Sequence, residues 1–70
     1  MKSNQVIESV FELEGTGDTC AARIANHLGG SVVDAITICV ELEKKQLIAP
    51  SKEGYGLTEA GLKRVEILTA

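Results

Sequence analysis

The alternation of apolar and polar residues first reads as a helix over residues 3 to 14. Val6, Ile7, Val10, Phe11 and Leu13 recur at i, i+1, i+4, i+5 and i+7, with Glu8, Ser9 and Glu12 on the other side. Ser3 or Asn4 is placed to cap this segment. Glu14 followed by Gly15 and Gly17 ends it, because closely spaced glycines break a helix and permit a left-handed stop. Thr16 to Asp18 leaves room for a very short strand. A second helical pattern runs over residues 19 to 28 from a cap at Asp18 or Thr19, with Ala21, Ile24, Ala25 and Leu28 as a narrow apolar stripe. Gly29 and Gly30 end it and turn the chain steeply into the next element.

That next element, Ser31 to Ile48 (SVVDAITICVELEKKQLI), is the segment on which the reading of the chain turns. Ser31 with Asp34 three residues on is a helix-start signal, since both side chains can satisfy N–H groups that lack partners in a first turn. Over a helix at residues 31 to 45, stepped by about 100° per residue, Val32, Ala35, Ile36, Ile38, Cys39, Val40 and Leu42 cover more than half the circumference. Asp34, Thr37, Glu41, Lys44 and Lys45 are left on a polar strip. A helix resting on one core needs a narrower stripe, so something is expected to cover the surplus.

Period-two character then takes over. Leu47, Ile48 and Ala49 read as a strand that Pro50 confines to an edge or an end. Ser51 to Gly54 (SKEG) is a turn and Tyr55 to Leu57 the returning strand, giving a hairpin over residues 47 to 57 with a charged tip. Thr58 is placed to cap a last helix, residues 59 to 69, whose Leu62, Val65, Ile67 and Leu68 are apolar. No repeat, linker or low-complexity run interrupts the order.

Composition narrows the classes. Seventy residues suffice for one small domain, here residues 1 to 70, near the limit of independent stability, so an economical fold or a homodimer is expected. Ten acidic against seven basic residues leave a net charge of −3, which opposes strong non-specific affinity for a polyanion. Tyr55 and Phe11 are the only aromatics, too few for a platform that stacks single-stranded bases. No secretory signal or stretch of the length needed to span a bilayer is apparent, so a cytoplasmic protein without membrane contact is expected. Cys20 and Cys39 are too few and too far apart for a zinc or iron–sulfur site, and read as small buried hydrophobes. His27 lies off its helix's apolar stripe and reads as an exposed polar residue with no catalytic partners. No metal ligands, cofactor motif or catalytic residues emerge, and no enzyme is expected.

Helix, glycine break, helix, tight turn, helix, hairpin, helix is the element order of an α+β, mostly helical winged helix-turn-helix domain: a three-helix core, a two-stranded wing and a C-terminal helix. RIANHLGGSVVDAITICVELEKKQLI resembles the tri-helical core and first wing strand of bacterial and archaeal winged-helix transcription regulators. YGLTEAGLKRVE resembles the end of the wing and the start of the last helix in regulators of the multiple-antibiotic-resistance (MarR-like) kind. The resemblance implies a small transcriptional regulator that binds double-stranded DNA with the helix from Ser31 in the major groove. It further implies that Thr19 offers its hydroxyl and amide to a phosphate, that Ser31, Val33 and Thr37 face the groove, and that Lys52, with Tyr55 beside it, is the wing contact. Pairing through the first and last helices, with Ile67 and Leu68 at the interface, is also implied.

The chain departs from that pattern twice. Helices that read bases usually present arginine, asparagine, glutamine or serine, whereas this one presents Val32, Val33 and Ile36 beside Asp34 and Glu41, with Lys44 and Lys45 at its far end. That surplus motivates an alternative, a protein-interaction winged helix (adaptor, antirepressor or complex subunit) using the apolar face of the same helix. The second departure is Gln46, which stands where such regulators commonly place glycine in a left-handed conformation.

Overall fold

The computed structural model describes residues 1–69; Ala70, the last residue of the expected domain, lies outside them. The chain is α+β and mostly helical, with α1 (Ser3–Leu13), a 3-10 turn (Glu14–Thr16), α2 (Ala21–Leu28), α3 (Val32–Lys44), β1 (Ile48–Ser51), β2 (Gly54–Leu57) and α4 (Glu59–Thr69) in order. The two strands form an antiparallel hairpin in which Ile48 pairs with Leu57 and Ser51 with Gly54. This order is compatible with a winged helix.

The core is built around α1. Val6, Ile7, Val10 and Leu13 are buried, and α1 touches α2, α3, α4 and β2. Ile24 from α2, Cys39 and Leu42 from α3, Leu47 and Ile48, and Val65 from α4 close around it. Ser9, expected on the polar side, is buried. Its hydroxyl donates to the Gln5 carbonyl one turn back at 2.7 Å, and that bond makes its burial tolerable. The N-cap of α1 is Lys2 rather than Ser3 or Asn4. The Lys2 N–H donates to the Gln5 side chain at 2.8 Å, the reciprocal half of a capping box.

Thr16 to Asp18 is not a strand. Thr16 closes the 3-10 turn, donating its hydroxyl to the Leu13 carbonyl at 2.7 Å, and Gly17 takes the left-handed conformation (φ 76°) that ends it. The chain meets the hairpin one residue later, where the Thr19 N–H donates to the Glu53 carbonyl at 3.0 Å. Helix α2 begins later than expected, at Ala21, with Cys20 as its cap residue.

Helices α2 and α3 end by the same device. Gly30 donates its N–H to Ala25 O and Gly29 to Asn26 O around a left-handed Gly29 (φ 71°), the pattern of a Schellman motif. In α3 the equivalent bonds run from Leu47 to Leu42 O and from Gln46 to Glu43 O, each 3.0 Å, and Gln46 holds the left-handed position at φ 61°. The positive φ expected at Gln46 is therefore present, carried by a side chain that pays a steric penalty there. Buried Leu42 and Leu47 supply the apolar contact that accompanies such a stop.

Thr58 ties this end of α3 to α4. Its hydroxyl accepts from Gly61 N–H at 3.0 Å, capping α4 as expected, and donates to Gln46 O at 2.6 Å. Its own N–H donates to Leu47 O at 3.2 Å. Gly61 is buried against that same carbonyl, with no room for a Cβ.

The outer edge of β2 is occupied, and that of β1 lacks one donor. Tyr55 and Leu57 donate their N–H groups away from β1, to the Thr19 hydroxyl at 2.9 Å and the Glu14 carboxylate at 3.0 Å. Outward and inward main-chain groups alternate in an antiparallel ladder, so the backbones of their opposite numbers, Pro50 and Ile48, turn their hydrogen-bonding groups outward on β1. Pro50 has no N–H to offer there, which is how an edge strand accommodates proline and discourages a further strand.

Candidate functional site

Three of the residues expected at a nucleic-acid contact lie together on the open side of α3. Ser31, Val33 and Thr37 are all exposed. Their polar atoms are engaged locally, however. The Ser31 hydroxyl accepts the Asp34 N–H at 3.1 Å as the helix cap, and the Thr37 hydroxyl donates to the Val33 carbonyl at 2.9 Å. Lys52 is exposed at the tip of the hairpin.

Thr19 and Tyr55 sit elsewhere and face each other. Thr19 is 1% exposed; its hydroxyl donates to the Tyr55 carbonyl at 2.5 Å and accepts the Tyr55 N–H, while its own N–H is held by Glu53. The expectation that Thr19 offers hydroxyl and amide to a phosphate is corrected by this geometry, because both groups clasp the hairpin. Tyr55 is half-buried and packs on the core rather than standing beside Lys52 as a surface contact. Burial, followed by the nearby Cys39 and Glu43, raises its phenol above the ordinary tyrosine value.

What α3 presents outward is apolar. Ala35, Cys39 and Leu42 are buried, yet Val33 is 72% exposed and Val32, Ile36 and Val40 are 44%, 46% and 43% exposed. Residues 32, 36 and 40 step by i+4 along one face, and Val33 flanks them. The surplus apolar arc expected from the sequence is thus left uncovered by the domain's own core. Glu43 continues the same face beyond Ile36 and Val40, Asp34 and Glu41 stand on the side away from it, and the first cation of α3 is Lys44, one turn beyond Val40.

Where α3 ends, a cavity of about 630 Å³ opens between its last turn, the outer edge of β1 and the first turn of α4. Glu43 and Gln46 of the α3 end, Ile48 and Ala49 of β1, and Glu59 and Lys63 of α4 are among its walls. Periodicity could not reveal this groove, because its walls come from three separate elements. Its trace in the sequence is the pair Gln46 and Thr58, whose conformations bring those elements together.

No family model, curated protein or solved structure matches this chain.

Other side chains with reactive potential are placed quietly. Cys39 is buried, and burial, with Glu43 as the smaller cause, pushes its thiol up to about 11. Cys20 is half-buried with a free thiol. His27 is not unpartnered: its Nε2 lies 2.8 Å from Glu12 Oε2, bracing α2 against α1 on the surface. Among the described residues no cluster of histidine, cysteine and acids has the makings of a metal site, and no helix is long and apolar enough to cross a membrane.

Proposed function

We propose that this chain is a winged-helix interaction module whose contact surface for another protein is the exposed face of α3. One observation carries the reading: the helix in the recognition position exposes Val32, Val33, Ile36 and Val40 as a continuous strip, with acids and no cation along its first three turns. Uncovered apolar strips mark interaction sites, whereas DNA contacts are dominated by cations on phosphates. Within this reading the hairpin serves as a brace, since Thr19 and Glu14 occupy one edge and Pro50 leaves the other short of a donor.

The test is a comparison of tagged wild type with Val33→Arg, purified from native cells. The wild type is expected to retain a specific protein, confirmed by tagging that protein in turn, and the variant to lose it while melting at an unchanged temperature. Equal retention by both overturns the assignment of the surface.

A second reading, direct binding of duplex DNA by the same helix with Lys52 as a wing contact, draws support from the helix–helix–hairpin order and the exposed Lys52 at the hairpin tip. Under it, Val33→Arg strengthens binding to duplex, the opposite of its effect on a protein partner.

A further inference from the structure

The strip on α3 does not stop at Val40. Glu43 lies three residues beyond Val40 and seven beyond Ile36, on the same helical face, and it also forms a wall of the groove that opens at the end of α3. Strip and groove are therefore one continuous path. From Val32 to Glu43 it extends about 16 Å, at roughly 1.5 Å per residue. Its first part is purely aliphatic and its far end is an apolar floor of Ile48 and Ala49 between two carboxylates, Glu43 and Glu59.

Charge selects the occupant. Glu43 forms no ion pair among the described residues, and Glu59 has only a loose contact with Lys63, at 3.9 Å between two largely exposed side chains. The single lysine thus leaves the two carboxylates incompletely neutralised. Lys44, one turn beyond Val40, stands beside the end of the strip, so the excess of negative charge is confined to the groove, where two carboxylates face one lysine, and to the chain as a whole, which carries −3. That excess disfavours a phosphate in the groove. A lysine or arginine, with an apolar stem for the floor and a charged head for the rim, fits its end.

We infer that the occupant is a helical segment of a protein partner that lays an aliphatic ridge along Val32, Ile36 and Val40 and inserts a lysine or arginine side chain between Glu43 and Glu59. The inference rests on the reading of α3 as a protein-binding face, and adds to it the groove and the sign of the partner's charge. An amphipathic helix laid in a groove is an established recognition mode. A partner strand added to β1 is disfavoured because Pro50 breaks the outward row of donors.

Two synthetic fourteen-residue helical peptides serve as probes. Both carry leucines at i, i+4 and i+8 on an alanine and glutamine background; one has lysine at i+11 and its twin has glutamate. Titrated into the ¹⁵N-labelled chain, the lysine peptide is expected to shift the amides of Val33, Ile36 and Val40 together with those of Glu43, Ala49 and Glu59. It is expected to bind about tenfold more tightly than the twin, a difference that collapses to within about twofold in the Glu43→Gln, Glu59→Gln double variant. Equal binding of the twins, or a preference that survives the double variant, overturns the groove assignment while shifts on α3 leave the protein-binding reading standing. No shift on α3 with either peptide, alongside saturable shifts there with duplex DNA, overturns both.

Discussion

Gln46 shows how one side chain can work against an otherwise consistent local design. Every hydrogen bond of the α3 stop is made, and Leu42 and Leu47 are buried beside it, yet φ is 61° on a residue with a Cβ. Gln46→Gly relieves a penalty of about 1–2 kcal/mol and adds backbone entropy to the unfolded chain, so a net gain of up to ~1 kcal/mol is expected. A urea midpoint that moves down in this variant would contradict the strain. Thr19 is the converse case, a residue whose polar atoms are fully used. Thr19→Val keeps the shape but strands the Tyr55 N–H and carbonyl, and a loss of about 2–3 kcal/mol is expected from denaturant unfolding. Cys39 links burial to pH. Its thiol rises from an ordinary 9.0 to about 11 in the folded chain, so the native state holds a proton that the unfolded state releases in that interval. Stability is therefore intact below pH 9 and falls by roughly 2 kcal/mol as pH climbs to about 11. Cys39→Ala reduces that slope, leaving the raised Tyr55 phenol to act in the same direction, and alkaline melting curves with and without the substitution measure the difference directly.

At the scale of elements, the helices and the hairpin were legible because each has a period and a punctuation mark. Ser31 and Thr58 are caps in sequence and in structure, and Gly29 and Gln46 stand at left-handed stops. What periodicity could not convey was which elements share a polar atom. Ser9 looked like surface because its bond partner is the backbone of its own helix, and Thr19 looked available because Tyr55 lies thirty-six positions away. The strip on α3 was legible as an excess of apolar arc; that the core leaves it bare depends on α1, which takes the central position and fills the space itself. Gly61 illustrates a contest between local and tertiary terms. In an exposed helix, alanine in its place would gain up to ~1 kcal/mol of helix propensity. Here the added Cβ overlaps the Leu47 carbonyl that also receives the Thr58 N–H, and α4 has to move away from β1. Overpacking of this kind costs typically 1–3 kcal/mol, so Gly61→Ala is expected to destabilise on balance, read as a lower melting temperature.

For the molecule as a whole, charge and apolar surface point the same way. A net charge of −3 spread over extents of 27 × 23 × 22 Å disfavours a polyanion before any contact forms, and α3 offers no local cation patch to reverse that until Lys44. Duplex DNA and a basic protein partner then differ in salt response as well as in affinity. Phosphate contacts release counterions, and each adds a slope of about −0.9 to log K against log salt. A basic helix held mainly by an aliphatic strip and one inserted cation has a small slope, because desolvated apolar contact is insensitive to salt at these concentrations and one charge pair is only partly screened. Between about 50 and 200 mM salt the lysine peptide is expected to weaken by no more than about threefold. Any association with duplex should already be near the non-specific level of roughly 10⁻⁴ M at the upper end. A duplex affinity that exceeds this and falls a thousandfold across the range would mean several phosphates are neutralised at once. Lys44, Lys45, Lys52 and Arg23 would then have to converge on one face, and Val33→Arg would raise the affinity further instead of dismantling a complex.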